Sequence, residues 1–115
     1  MKFKCTCGAT IIDQTDALPY KGYIIPDQEW FPVHEEIDIV IGDVAAGMVA
    51  ADDASMKIRK ILNRSTRTIH QCMKCGRLHI EDWLHMPFVF EPEPGDVYTE
   101  LLKSIDEDED DDDGF

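Results

Sequence analysis

Four cysteines in two short turns, Cys5-Thr6-Cys7-Gly8 and Cys72-Met73-Lys74-Cys75-Gly76, limit what this chain can fold into. A Cys-x-x-Cys turn presents two thiolates from one tight loop. The glycine after it can adopt positive φ, which lets the backbone curl under an ion. The first pair is one residue shorter but also ends in glycine. Zinc takes four such ligands at tetrahedral corners, with each sulfur about 2.3 Å away. Two turns at the tips of two hairpins can share one ion. The spacing therefore predicts a structural Zn2+ on Cys5, Cys7, Cys72 and Cys75. Any fold that satisfies this must bring the two pairs together across the 64 residues between them.

Four thiolates complete a closed site, with no coordination position left for a substrate, which argues against metalloenzyme chemistry. His34, His70, His79 and His85 are accordingly expected at the surface or in packing roles. Other uses of these thiols stay open. They can be buried as small hydrophobes, or hold an iron–sulfur cluster, although nothing here suggests an electron-transfer partner. A redox Cys-x-x-Cys normally opens a helix, whereas Lys74-Cys75-Gly76-Arg77 reads as a turn within a hairpin.

The remaining pattern is mixed. Residues 2–12 and 66–83 read as hairpins around the cysteine turns, and Phe88-Val89-Phe90 as a further strand. Pro19, Pro26 and Pro32 mark residues 13–33 as an irregular connection, with Tyr20, Tyr23, Trp30 and Phe31 folded back onto the domain. From about residue 34 to 51 the period becomes helical, with Ile37, Val40, Ile41, Val44 and Met48 on one face and Glu35, Glu36 and Asp38 near the start. Gly42 and Gly47 fall inside that helix. A second helix is predicted over about 53–63, N-capped by Asp52 or Asp53, with Ile58, Ile61 and Leu62 as its stripe. A short helix is predicted over 97–105. The expected fold class is α+β: a zinc ribbon of two hairpins, a helical insertion between the cysteine pairs, one domain over 1–105 and a disordered acidic tail over 106–115.

Charge bears on partners. The 11 Lys and Arg against 24 Asp and Glu give a formal net charge of -13. Eight of those acids are consecutive, from Asp106 to Asp113. Such a chain is repelled by nucleic acid and anionic membranes and attracted to basic proteins. No signal-peptide pattern or transmembrane run is visible, so a cytoplasmic location is expected, where thiols stay reduced. The basic strip Lys57, Arg59, Lys60, Arg64 and Arg67 reads as a solvated helix face. The carboxylate pairs Glu35-Glu36, Asp52-Asp53 and Glu81-Asp82 read as caps and solubilising charge, since adjacent helical residues point apart. No phosphate loop, nucleophile elbow or zinc-protease motif is present. The expectation is that the protein is not an enzyme.

Through Cys5, Cys7, Gly8, Cys72, Cys75, Gly76 and Arg77 the chain resembles a zinc ribbon. That resemblance implies that the four cysteines of the two knuckles are the ligands. It departs from the family in its Cys-x-Cys first pair and its long spacer. The Cys-x-Cys-Gly and Cys-x-x-Cys-Gly-Arg turns, with residues 15–21 and 26–31, also resemble those of small bacterial proteins. In size and acidity the chain is similar to immunity proteins that neutralise toxins. This implies an acidic binding protein that docks on a basic partner, such as a toxin. Trp30, Phe31, Asp106, Glu107, Asp108, Glu109 and Asp110 are the candidate contacts. The alternative is a zinc-ribbon accessory protein in transcription or translation, reaching nucleic acid or a polymerase through Lys74, Arg77 and the basic strip.

Overall fold

The first hairpin closes where the cysteine turn demands it. In the computed structural model, which describes residues 1–105, β1 (Lys2–Lys4) pairs antiparallel with β2 (Thr10–Ile12), placing Phe3 opposite Ile11. The turn is held by Cys5 N–H donating to Ala9 O at 2.8 Å and Gly8 N–H to Cys5 O at 2.9 Å. Gly8 sits at φ +97°, a conformation that costs other residues a steric clash at Cβ.

A second antiparallel sheet has the strand order β3 (Lys21–Ile24), β4 (Arg67–Gln71), β5 (Leu78–Glu81), β6 (Pro87–Phe90). The β4–β5 hairpin pairs Ile69 with Ile80 and His70 with His79, and its tip carries the second cysteine pair. The β5–β6 turn is tied by Asp82, whose Oδ1 accepts from the N–H groups of Leu84 and Met86, both at 2.9 Å. The fold class is thus α+β, with two helices and two antiparallel sheets among the described residues.

The chain falls into two compact units. One comprises residues 1–22 together with the chain from 68 onward, and the other comprises residues 23–67. The second unit is a helical pair, α1 (Asp27–Ala45) and α2 (Ala51–Ser65), whose core is Val33, Val40, Ala54 and Ile61 with Ile37, Ile58 and Leu62 packed against it. Arg64 and Arg67 on this unit are ion-paired with Glu36 at 2.6 Å and Glu29 at 2.9 Å.

Several expectations need correction here. The helix expected at 34 begins at Asp27, directly after Pro26, and runs through Pro32. Proline removes one N–H from the helical ladder, which strands the carbonyl of Gln28. Both residues lie on the exposed side, where water can take that carbonyl. Trp30 and Phe31 are therefore helical, and the acids of the first turn are Asp27 and Glu29 rather than Glu35, Glu36 and Asp38. The stripe facing the core is Val33 and Val40 with Ile37 half-buried, while Ile41, Val44 and Met48 are exposed.

Gly47 does not interrupt the helix but ends it. At φ +76° it donates to Val44 O at 3.0 Å while Met48 donates to Asp43 O at 2.9 Å, a Schellman closure. The residue before α2 is Ala50, so Asp52 and Asp53 lie in its first turn and are not caps. Residues 97–105 form no helix; the chain there is an irregular strap with one turn. The expected tail, 106–115, lies outside the described residues. No helix among the described residues is long and apolar enough to cross a membrane.

Candidate metal centre

The tips of the two hairpins meet. The Sγ atoms of Cys5, Cys7, Cys72 and Cys75 all lie within 4.8 Å of one another. Cys5 and Cys75 are 3.5 Å apart at sulfur, and Cys7 and Cys72 are 3.6 Å apart. A disulfide would need about 2.05 Å, so these are free thiols. An ion about 2.3 Å from four sulfurs at tetrahedral corners would set them roughly 3.8 Å apart. The observed set has that size, and its members come crosswise from both turns. No histidine joins the group.

The local chain is built to hold this arrangement. Cys72 N–H donates to Arg77 O at 2.8 Å and Gly76 N–H to Cys72 O at 2.9 Å, so the second knuckle is a closed turn. Cys5, Cys72 and Ile11 form a buried cluster flanked by Phe3, Ala9 and Tyr20. The Tyr20 hydroxyl donates to Ile12 O. Burial by itself would push the Cys75 thiol up. Hydrogen bonds from the Arg77 backbone, the Arg77 guanidinium, Cys5 and Cys7 outweigh it and hold the thiol at about 6. The guanidinium Nη1 lies 3.3 Å from Cys75 Sγ. A thiolate already favoured at neutral pH is the form a metal binds.

A strap covers the second knuckle. Gln71 is 1% exposed. Its Nε2 donates to Gly76 O at 3.2 Å and to Tyr98 O at 2.6 Å, and its Oε1 accepts from Leu101 N–H at 2.9 Å. Gly76, at φ +82°, passes so close under the strap that a Cβ would lie 2.9 Å from Tyr98 O. Sequence reading missed Gln71 entirely, because an isolated glutamine at a strand end carries no pattern.

His70 and His79 are buried in packing roles, and His34 and His85 are exposed. His79 is buried between Phe3 and its own sheet, and its Nε2 has no partner among the described residues. Burial, followed by the charges of His70 and Arg77, lowers its pKa and favours the neutral ring. His70 Nε2 meets Asp13 Oδ2 at 2.8 Å, and Lys21 Nζ reaches the same oxygen at 2.8 Å. Hydrogen bonds from Lys21 and then His70 hold the Asp13 carboxyl below its usual value. That depressed pKa adds stability fully present above about pH 4 and lost as pH falls through the folded value. Asp13→Asn is therefore expected to cost about 2 kcal/mol at neutral pH. Denaturant unfolding of the two proteins at pH 7 measures the loss, and the difference should narrow as pH is lowered toward about 4.

Trp30 and Phe31 lie on the first two turns of α1, 44% and 70% exposed. They belong to residues 23–67, whereas the four cysteines belong to the other unit. Asp106 to Asp110 lie outside the described residues. The described residues thus combine a four-thiol centre with separate exposed aromatic surface.

A family model, domain of unknown function DUF8617, matches residues 1–94, and the chain belongs to that family. No curated protein and no solved structure matches it.

Proposed function

We propose that the four-cysteine centre holds one structural Zn2+, as in a zinc ribbon, and that the protein is an acidic binding module for a basic protein partner. The observation that carries the metal assignment is the convergence of four thiols within 4.8 Å from turns far apart in sequence. Soft sulfur ligands select zinc among the common hard and borderline divalent ions. A closed four-thiolate set leaves no open position, so the ion serves the fold and not a reaction.

Charge and surface support the binding role. The excess of acid favours encounter with a cationic surface and mainly speeds association. Large exposed aromatics such as Trp30 and Phe31 suit the anchors of an interface. A toxin with a basic catalytic cleft is one partner of this chemistry. Three of the cations on which the competing nucleic-acid reading relies have other work. Arg64 and Arg67 are paired with glutamates, and Arg77 contacts Cys75 and Glu91.

Tagged protein recovered from its native cells at low salt should bring down a stoichiometric basic protein that elutes as salt is raised. Removal of residues 106–115 is expected to weaken capture about tenfold and flatten its salt dependence, since charge attraction between exposed groups is screened within roughly 10 Å at 0.1 M salt. Recovery of RNA polymerase or ribosomes, lost on nuclease treatment, would replace this reading with the transcription or translation role.

A further inference from the structure

The outer edge of β6 is a second exposed surface. In the sheet order β6 is terminal, and all four of its residues, Pro87 to Phe90, are exposed. Trp83, Leu84 and Met86 in the preceding turn are exposed as well. Ladder alternation tells which main-chain groups face outward. Asp82 N–H donates to Met86 O, in register with the pairs Ile80–Phe88 and Leu78–Phe90. These are the hydrogen-bonded pairs, and Glu81–Pro87 and His79–Val89 are the alternate, non-bonded ones.

The neighbouring hairpin gives the same parity. Cys72 N–H donates to Arg77 O, so the main chain of His79 faces β4 and not β6. Pro87, which has no N–H to offer, sits where its nitrogen would point to solvent. Val89 presents its N–H and C=O groups to an edge left open by the described residues, and the same alternation carried one residue past β6 would turn Glu91 outward as well. Natural edges are usually blunted by charge or proline along their length. Here Pro87 and Glu91 stand at the two ends, and Phe88, Val89 and Phe90 between them are uncharged.

We infer that β6 binds an extended, alternating apolar segment flanked by lysine or arginine, which adds to the sheet as a further antiparallel strand. Main-chain hydrogen bonds to Val89 would supply affinity, and the acids around the strand would choose the occupant. Glu81 and Asp82 precede it, and Glu91 and Glu93 follow it. Arg77 is engaged by Glu91 at 3.3 Å and by Cys75, and Lys4 shares a pocket with Glu81, Pro87 and Val89. A second copy of the same chain would bring like charges together, whereas a basic strand is attracted. The inference deepens the acidic-binder reading and rests on it.

The test uses the full-length protein and a synthetic peptide, Lys-Lys-Val-Thr-Val-Thr-Val-Lys-Lys, with a glutamate-flanked version for comparison. Saturating lysine peptide should slow amide hydrogen exchange at Val89 and Glu91 at least tenfold. Exchange at Phe88 and Phe90, already bonded to β5, should stay unchanged. The glutamate peptide should give no protection. Val89→Pro removes the outward N–H and also fixes φ near about −65°, so it should weaken peptide binding at least tenfold with a small fall in melting temperature; unchanged exchange at Phe88 and Phe90 in the free variant shows that the strand is intact, and Val89→Thr should bind as the parent does. Equal binding by Val89→Pro, or protection absent at Val89, would overturn strand addition. Dimerisation of the parent protein that Val89→Pro abolishes would assign the edge to a second copy and also overturn it. If Val89→Pro still captures the same basic protein from cells, strand addition fails and the acidic-binder reading survives; if the parent captures none, the reading itself fails.

Discussion

Chelation will dismantle the unit that carries the cysteines. Protein purified without chelator is expected to contain one zinc per chain by mass spectrometry, and cobalt exchanged into it should give the visible bands of a tetrahedral thiolate site. On treatment with a strong chelator the amide dispersion of residues 2–12 and 67–81 should collapse. The reason is the size of the term removed: apparent zinc binding energies of roughly 10–16 kcal/mol in small modules exceed the stability of most domains this small. The buried cluster behind the metal is only Cys5, Ile11 and Cys72 with a few half-buried neighbours. It cannot replace such a term. Cys72→Ser should act as the chelator does. Acid should also release the metal. Protons compete with the ion for all four thiolates, so stability contributed by the metal is lost as pH falls. Protein that binds no zinc and keeps its spectrum in chelator would refute the assignment.

Gln71→Leu is expected to be the most damaging single change outside the cysteines, at about 3 kcal/mol. Leucine matches the volume but offers no polar atom. The Gly76 and Tyr98 carbonyls and the Leu101 N–H would each lose a partner. An unpaired buried polar group costs about 1–3 kcal/mol, and water reaching the strap offsets part of that. Denaturant unfolding measures the loss. Gly76→Ala should destabilise by a similar route, because its Cβ would meet Tyr98 O at 2.9 Å on a backbone at φ +82°. In both variants residues 97–102 should gain proteolytic sensitivity before the rest of the unit. A melt of Gln71→Leu indistinguishable from the parent would show that the strap is not held this way.

How much of this could be read from the chain depends on how local the signal is. The first hairpin falls within the predicted residues 2–12, because the glycine-ended cysteine turn and its flanking strands are contiguous. The stripe Ile58, Ile61 and Leu62 of α2 was equally plain, since three residues at helical spacing suffice. The convergence of the cysteines was legible because metal chemistry supplies a long-range constraint that residue patterns lack. Helix α1 was misplaced for a physical reason. Pro32 is costly in a helix interior, but the cost is one hydrogen bond on a wet face, and burial of Val33, Ile37 and Val40 outweighs it. The strap over Gly76 was unreadable because its hold is a single glutamine reaching 27 and 30 residues onward.

The crosswise sharing of thiols between distant turns has a consequence during synthesis. Cys5 and Cys7 leave the ribosome long before their partners. At about 5–20 residues per second, Cys75 is added roughly 3–14 s after Cys7. For that interval the first pair is a bidentate site with no closure. Residues 23–67, whose helical contacts are local, are complete in the meantime. The nascent chain therefore passes through a period in which half of the metal centre is exposed to whatever soft ion or oxidant the cell holds. On the zinc reading proposed above, the cell's free-zinc level and its reductant supply should then govern the yield of correctly assembled protein as much as the stability of the finished fold.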